Sequence, residues 1–209
     1  MALLHDAPIT LKEAMSSDQS PTLADVFREV LSFLSERPDA MIFGAHAVNA
    51  YVEPPRMTSD VDVMSTDAES LADDLRDRLA KKFHIAVRVR TVAGGSGFRV
   101  YQLRPEKNRH LVDVRQVDEL PDAERVDGIQ VVAPADLVVM KLVSFVARRS
   151  TDKGISDRLD LHRMLLAFPE FRKPRSAVFK LLDDASVGVR GAWAEILSEQ
   201  INRSDDDEY

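Results

Sequence analysis

Apolar residues recur at helical spacing in "TLADVFREVLSFL", where Leu23, Val26, Phe27, Val30, Leu31 and Leu34 share one face. Thr22 and Asp25 stand as a capping box ahead of it and Pro38 follows its end, so the pattern predicts an amphipathic helix. "AMIF" then predicts a short buried strand breaking at Gly44, and "AHAVNAYV" a short helix. In "RMTSDVDVM" apolar and polar positions alternate as in a second strand. "TDAESLADDLRDRLAKKF" returns to the helical period, with Leu71, Leu75 and Leu79 on one face and Thr66 and Glu69 in capping-box positions.

Alternation resumes in "IAVRVRTV" and "FRVYQL", separated by "GGSG", which supplies the positive φ angles of a turn; a hairpin is expected. "RHLVDVR" reads as a further strand containing Asp113, and "GIQVV" as a short one. At Pro134 the period changes. "PADLVVMKLVSFVARR" is apolar almost all round, which predicts a buried helix with Pro134 in its first turn. "SDRLDLHRMLLAF", "RSAVFKLL" and "VRGAWAEILSEQI" predict three more, the last with Trp193, Ile196, Leu197 and Ile201 on one stripe. The expected fold class is therefore mixed α/β. A mixed-sheet core with its N-terminal helix spans residues 1–133, a helical lobe 134–203, and a charged, disordered tail 204–209.

Composition narrows the class. Of 209 residues, 44% are hydrophobic and 30% charged, a globular balance. No long apolar run exists and "MALLHDAPIT" lacks a basic start, so no membrane span or secretory signal is expected and a cytoplasmic location is. The absence of cysteine excludes disulfides, cysteine nucleophiles and thiolate metal sites. The net charge of −7 argues against a general nucleic-acid coat. From Lys141 to Lys180, however, ten Lys and Arg face four Asp and Glu, leaving that segment at +6 and the remainder at −13. This is either a basic binding face or a solvated helical surface.

Asp60 and Asp62 carry the first candidate chemistry. In a strand, residues i and i+2 start about 6 to 7 Å apart on one face and can converge on a divalent cation. The pair fits a metal site or a solvated strand end. Asp113 is a candidate third carboxylate or an edge-strand residue facing water. Lys141 is the single charge between Asp136 and Arg148, either meeting a partner or snorkelling to the surface. Asp157 and Asp160, at i and i+3, share a helix face that could meet Lys141, with a helix-start role as the alternative for Asp157. His46 is a weaker site candidate, and His5, His84, His110 and His162 show no metal-ligand spacing. No G-x-S-x-G elbow, H-E-x-x-H helix or phosphate-binding glycine loop is present.

The run "GAHAVNAYVEPPRMTSDVDVM", with Arg56-x-Thr58-x-Asp60-x-Asp62 behind the Gly44 turn, resembles the minimal nucleotidyltransferase superfamily, the polymerase-beta-like fold. It looks closest to the AbiEii-like branch of abortive-infection and toxin–antitoxin systems. That branch is also resembled by "VMKL", "RRSTDK" and "SDRLDL", so the likeness runs from Met41 to Leu166. The resemblance implies a Mg²⁺- or Mn²⁺-dependent transfer of a nucleoside monophosphate from an NTP to an acceptor hydroxyl. Gly44 and Ala45 match the nucleotide-binding turn, although Ala45 replaces the usual Ser or Gly. Asp60 and Asp62 match the metal pair, with Asp113 completing it or acting as base. Arg56, Thr58 and Asp160 match the nucleotide-binding flank, and Lys141 and Asp157 the catalytic set. The implied partners are the 3′ end of a tRNA and a cognate antitoxin. A small-molecule or protein acceptor, or a non-catalytic nucleotide-binding module, remains the alternative.

Overall fold

The computed structural model describes residues 21–199 and residue 201; His5 and the tail expected to be disordered lie outside them. Helix α1 (Leu23–Ser35) begins as its sequence predicts: Asp25 donates its amide to Thr22 Oγ1 at 3.1 Å, and the Asp25 carboxylate accepts from the Thr22 amide. Strand β1 (Ala40–Phe43) follows, then α2 (Gly44–Tyr51), β2 (Val61–Ser65) and α3 (Ala68–Phe83). The hairpin of β3 (Val87–Val92) and β4 (Gly97–Gln102) leads to β5 (Arg109–Gln116).

The capping box expected at Thr66 and Glu69 does not form. Asp67 occupies the cap without a side-chain bond. The Ala68 amide is satisfied instead by Gln116 Oε1 at 2.9 Å, so a residue from β5 replaces the local cap. A second hairpin, β6 (Ala123–Val126) with β7 (Ile129–Val132), turns through Asp127 and Gly128, both at positive φ. Only its second strand is expected from hydropathy, because β6 is a polar edge strand; the Asp-Gly pair was the available signal.

The seven strands form one mixed sheet in the order β3-β4-β5-β2-β1-β7-β6. Strand β2 runs antiparallel to β1 and parallel to β5, which sets Asp62 beside Phe43 on one side and Asp113 on the other. Val61 and Val63, alternating with these aspartates, point into the opposite layer and are fully buried. That layer is closed by α3, through Leu71, Leu75 and Leu79, and by Val26 and Val30 of α1. Glu29, buried in α1, accepts from Arg78 at 2.6 Å and pairs with Lys82, tying α1 to α3.

Beyond Pro134 come α4 (Pro134–Ala147), α5 (Asp152–Ala167), the five-residue α6 (Ala177–Leu181) and α7 (Val187–Ser198). Helix α4 packs on α2, α5, α6 and α7. It is not buried all round as expected: Val143 is 49% exposed because this side of the helix walls a cleft rather than joining the core. Trp193 and Ile196 are buried, whereas Ile201 lies past the end of α7 and is exposed. Among the described residues no helix is long and apolar enough to cross a membrane.

Candidate active site

Asp60, Asp62 and Asp113 meet on one face of the sheet. Asp60 immediately precedes β2, Asp62 lies within it, and Asp113 pairs with Asp62 in register across β5. Gly44 begins α2 at φ +69°, and a Cβ there would lie 2.7 Å from Asp62 Cγ. The glycine is therefore required by the Asp62 carboxylate itself, as well as by the left-handed backbone.

His110 joins this cluster, contrary to the spacing argument. Its Nδ1 lies 3.1 Å from Asp60 Oδ2 and its Nε2 lies 3.1 Å from Asp113 Oδ1. Residues three apart in a regular strand face opposite ways. Here Val100 pairs with Val112 and Tyr101 with His110, so Leu111 is an extra residue in β5 and the bulge returns His110 to the face of Asp113. Only the pairing with β4 reveals this. Asp60, His110 and Asp113 each offer a ligand atom within 4.8 Å of the others.

The charges of the cluster are unequal. Hydrogen bonding to His110 holds Asp60 below the usual carboxylate range. Burial alone would raise Asp113, but His110 and Arg99, whose Nε donates at 2.8 Å, hold it low. His110 is pushed up to about 10 by Asp113 and Asp60. Asp62 is pushed up to about 6, first by burial and then by Asp60 and Asp113. An oxygen-rich group in which one carboxylate is strained by two others fits a hard divalent cation such as Mg²⁺ or Mn²⁺.

Cations and helix α5 form the opposite wall. Arg56 donates through Nε and Nη2 to the two oxygens of Asp160, both at 2.8 Å. Lys141 sits between Asp160 at 2.8 Å and Asp157 at 3.2 Å, and Asp157 also accepts from Arg148 Nε at 2.7 Å. Both aspartates are buried, and this alternating ladder joins the loop before β2 to α4 and α5. Of the sequence alternatives, Lys141 and Asp157 meet each other; neither snorkelling nor a bare helix-start role describes them. Asn49 holds the Arg56 backbone through both its amide and carbonyl, and Thr58 Oγ1 is hydrogen-bonded to His46 Nε2 at 2.6 Å.

Between these walls lies a cleft of about 620 Å³ lined by Ala45, Arg56, Thr58, the three aspartates, Arg148 and Lys153 among others. An adjoining cavity of about 320 Å³ has one apolar side, with Phe43, Val139, Met140 and Val143, and shares Asp62, Lys141, Arg148 and Asp157 with the cleft. A basic wall beside a recess with one apolar side can take a polyphosphate and a flat ring. Phe43 is a cleft residue that the sequence motifs do not single out, whereas Arg148 and Lys153 are the two ends of the basic "RRSTDK" stretch. Much of the positive segment is spent internally: Arg149 pairs with Glu195, Arg158 with Glu199, and Arg163 donates to the Pro54 carbonyl.

No family model and no curated protein matches the chain. Among solved structures, the Megavirus polyadenylate synthase is similar, with a TM-score of 0.57 and 15% identity over 78% of this chain and 35% of that one. The chain thus spans about a third of the length of that viral structure. JHP933 from Helicobacter pylori is similar with a TM-score of 0.50 and 14% identity, over 87% of this chain and 89% of its own. An antigenic nucleotidyltransferase-like protein from Paracoccidioides brasiliensis follows at 0.47 and 19%, over 87% and 96%. The first two establish a shared fold, a mixed sheet flanked by helices as the sequence predicts.

Proposed function

We propose that the chain is a nucleotidyltransferase, of EC 2.7.7 type, that moves a nucleoside monophosphate from an NTP to an acceptor hydroxyl. The observation that carries this reading is the convergence of Asp60, Asp62 and Asp113 at the floor of a cleft whose other wall presents Arg148 and Lys153. In the reaction, the acceptor oxygen bonds to the α-phosphorus, the bond from that phosphorus to the bridging oxygen breaks, and pyrophosphate leaves with the electron pair. The hydroxyl proton passes to the carboxylate cluster.

Asp60, Asp62 and Asp113, with His110 beside them, are the residues that would hold Mg²⁺ or Mn²⁺. Such a cation, when bound, supplies Lewis-acid polarisation and neutralises phosphate charge. The chain's own contribution is positioning and electrostatics. Arg148 and Lys153 offer donors to the phosphates. Lys141, held by two buried aspartates, orients α5 and so carries its effect through Asp157 and Arg148 rather than by direct phosphate contact. Gly44 leaves Asp62 its space.

The Arg56-to-Asp62 signature supports the AbiEii-like branch, with the 3′ end of a tRNA as acceptor and a toxin restrained by a cognate antitoxin as the setting. The test is incubation of the protein with labelled NTPs, a divalent cation, and either total RNA or protein extract. Label entering RNA and lost in Asp60→Ala supports the reading. Label on protein alone removes the RNA acceptor, and NTP binding without transfer to any acceptor favours a non-catalytic module, with which Ala45 agrees.

A further inference from the structure

On the β3-β4-β5 half of the sheet, α3 covers one face, where Val89, Val100 and Val112 align across the strands. The pairing register also orders the opposite face. Arg90, Arg99, Asp113 and Asp62 form one row across β3, β4, β5 and β2. Arg88, Tyr101 and His110 form the row on one side, and Val92, Gly97 and Arg115 the row on the other. Arg88, Arg90 and Arg115 are exposed, and the Arg99 side chain keeps 43% of its surface. Four arginines therefore share one open face that runs from the sheet edge to the carboxylates.

This arrangement has a cost. Arg90 stands directly opposite Arg99, and like charges paired across strands destabilise a sheet. Among the described residues the ion pairs on this face are those of Arg99 and His110 with Asp113 and Asp60, so the positive charge of Arg88, Arg90 and Arg115 is left for a ligand. In a protein of net charge −7, such a face is not a by-product of composition. Aromatic surface is interleaved with it: Tyr101 lies beside His110 with ring centroids 5.1 Å apart, and the Arg115 guanidinium lies over the Phe43 ring at 4.7 Å. A cavity of about 320 Å³ at the inner end is lined by Phe43, Asp62, Arg99, Asp113 and Arg115 among others, a volume suited to one terminal nucleoside.

We infer that this face docks the single-stranded end of a nucleic acid, with phosphates on Arg88, Arg90 and Arg115 and a base against Tyr101. A shallow sheet face with aromatic and guanidinium planes accepts splayed bases, whereas a polycationic small acceptor would be repelled. The docking stands on the geometry of the face. Delivery of the terminal hydroxyl to Asp113 and Asp62 rests on the nucleotidyl-transfer reading.

The test is fluorescence anisotropy with a short labelled single-stranded RNA bearing a free 3′ hydroxyl, titrated at several salt concentrations. Arg88→Ser/Arg90→Ser is compared with Arg28→Ser/Arg76→Ser, which makes the same change of charge elsewhere. The platform variant is expected to bind about tenfold more weakly and to lower the salt slope by about 1.4, the release expected for two single-strand phosphate contacts. The control variant is expected to bind as the wild type does. Equal binding by the platform variant and the wild type, or equal weakening in both variants, overturns the docking face. Transfer of label to RNA with no effect of Arg88→Ser/Arg90→Ser sinks this inference and leaves the transferase reading standing; weakened binding without transfer in any sample does the reverse.

Discussion

Arg56 grips both carboxylate oxygens of Asp160 across 104 residues of sequence. The contact fixes the loop that leads to Asp60 and Asp62 against a helix from the C-terminal half. Because Asp160 is fully buried and also holds Lys141, three elements depend on one carboxylate.

Asp160→Ala would leave Arg56 without its anion and Lys141 with Asp157 alone. We expect it to destabilise the fold by about 3 kcal/mol, the scale for breaking a buried pair from one side. Arg56→Lys, which keeps the charge but loses the two-pronged geometry, should cost less. Denaturant unfolding of both variants measures the order; an Asp160→Ala midpoint equal to that of the wild type would contradict the ladder.

Gly44→Ala is expected to impair transfer while a larger part of the fold survives. The new Cβ would stand 2.7 Å from Asp62 Cγ on a backbone at φ +69°. The strain is on the order of 1–3 kcal/mol, and its relief requires Asp62 to move. Transfer assays alongside thermal melts separate the two effects, and a variant with wild-type turnover would show that Asp62 has room.

Acid stability should depend on Glu29. Its burial would raise the carboxyl, but Lys82 and Arg78 hold it below the ordinary value. A depressed folded-state pKa contributes stability that is present above the unfolded pKa, about 4.3, and is lost as pH falls through the folded value. Glu29→Gln should therefore lower stability at pH 7 and flatten the fall in stability below about pH 4.3. Melting curves from pH 7 to pH 3, run on both proteins, check this; parallel curves would count against it.

Much of the carboxylate cluster was legible because strand periodicity is strict. Once Val61 and Val63 were read as buried, Asp60 and Asp62 had to share the other face, and the charged Asp113 between two valines marked a second strand of the same kind. The meeting of Lys141 with Asp157 and Asp160 was legible as one of two alternatives, since a lone lysine in an apolar helix either meets a partner or snorkels to the surface. His110 was hidden, because the bulge at Leu111 depends on the register of a neighbouring strand and leaves no local mark. Strand β6 was missed because edge strands are polar, and the false capping box at Thr66 arose because Gln116, 48 residues from Ala68, competes for the same helix start. The arginine face was invisible for the same reason as His110: Arg88, Arg90, Arg99 and Arg115 line up only after three strands pair.

Asp62 lies beside Asp113, against Gly44 and in the wall of all three cavities described above. The most direct measurement is transfer of label from an α-labelled NTP to RNA by the wild type and by Asp62→Asn, which keeps the shape and removes the charge. Transfer by the wild type is expected, with a loss of about 10²–10³-fold or more in the variant, the scale for removing one electrostatic group from a transferring centre. Undiminished transfer by Asp62→Asn would contradict the proposed role of Asp62.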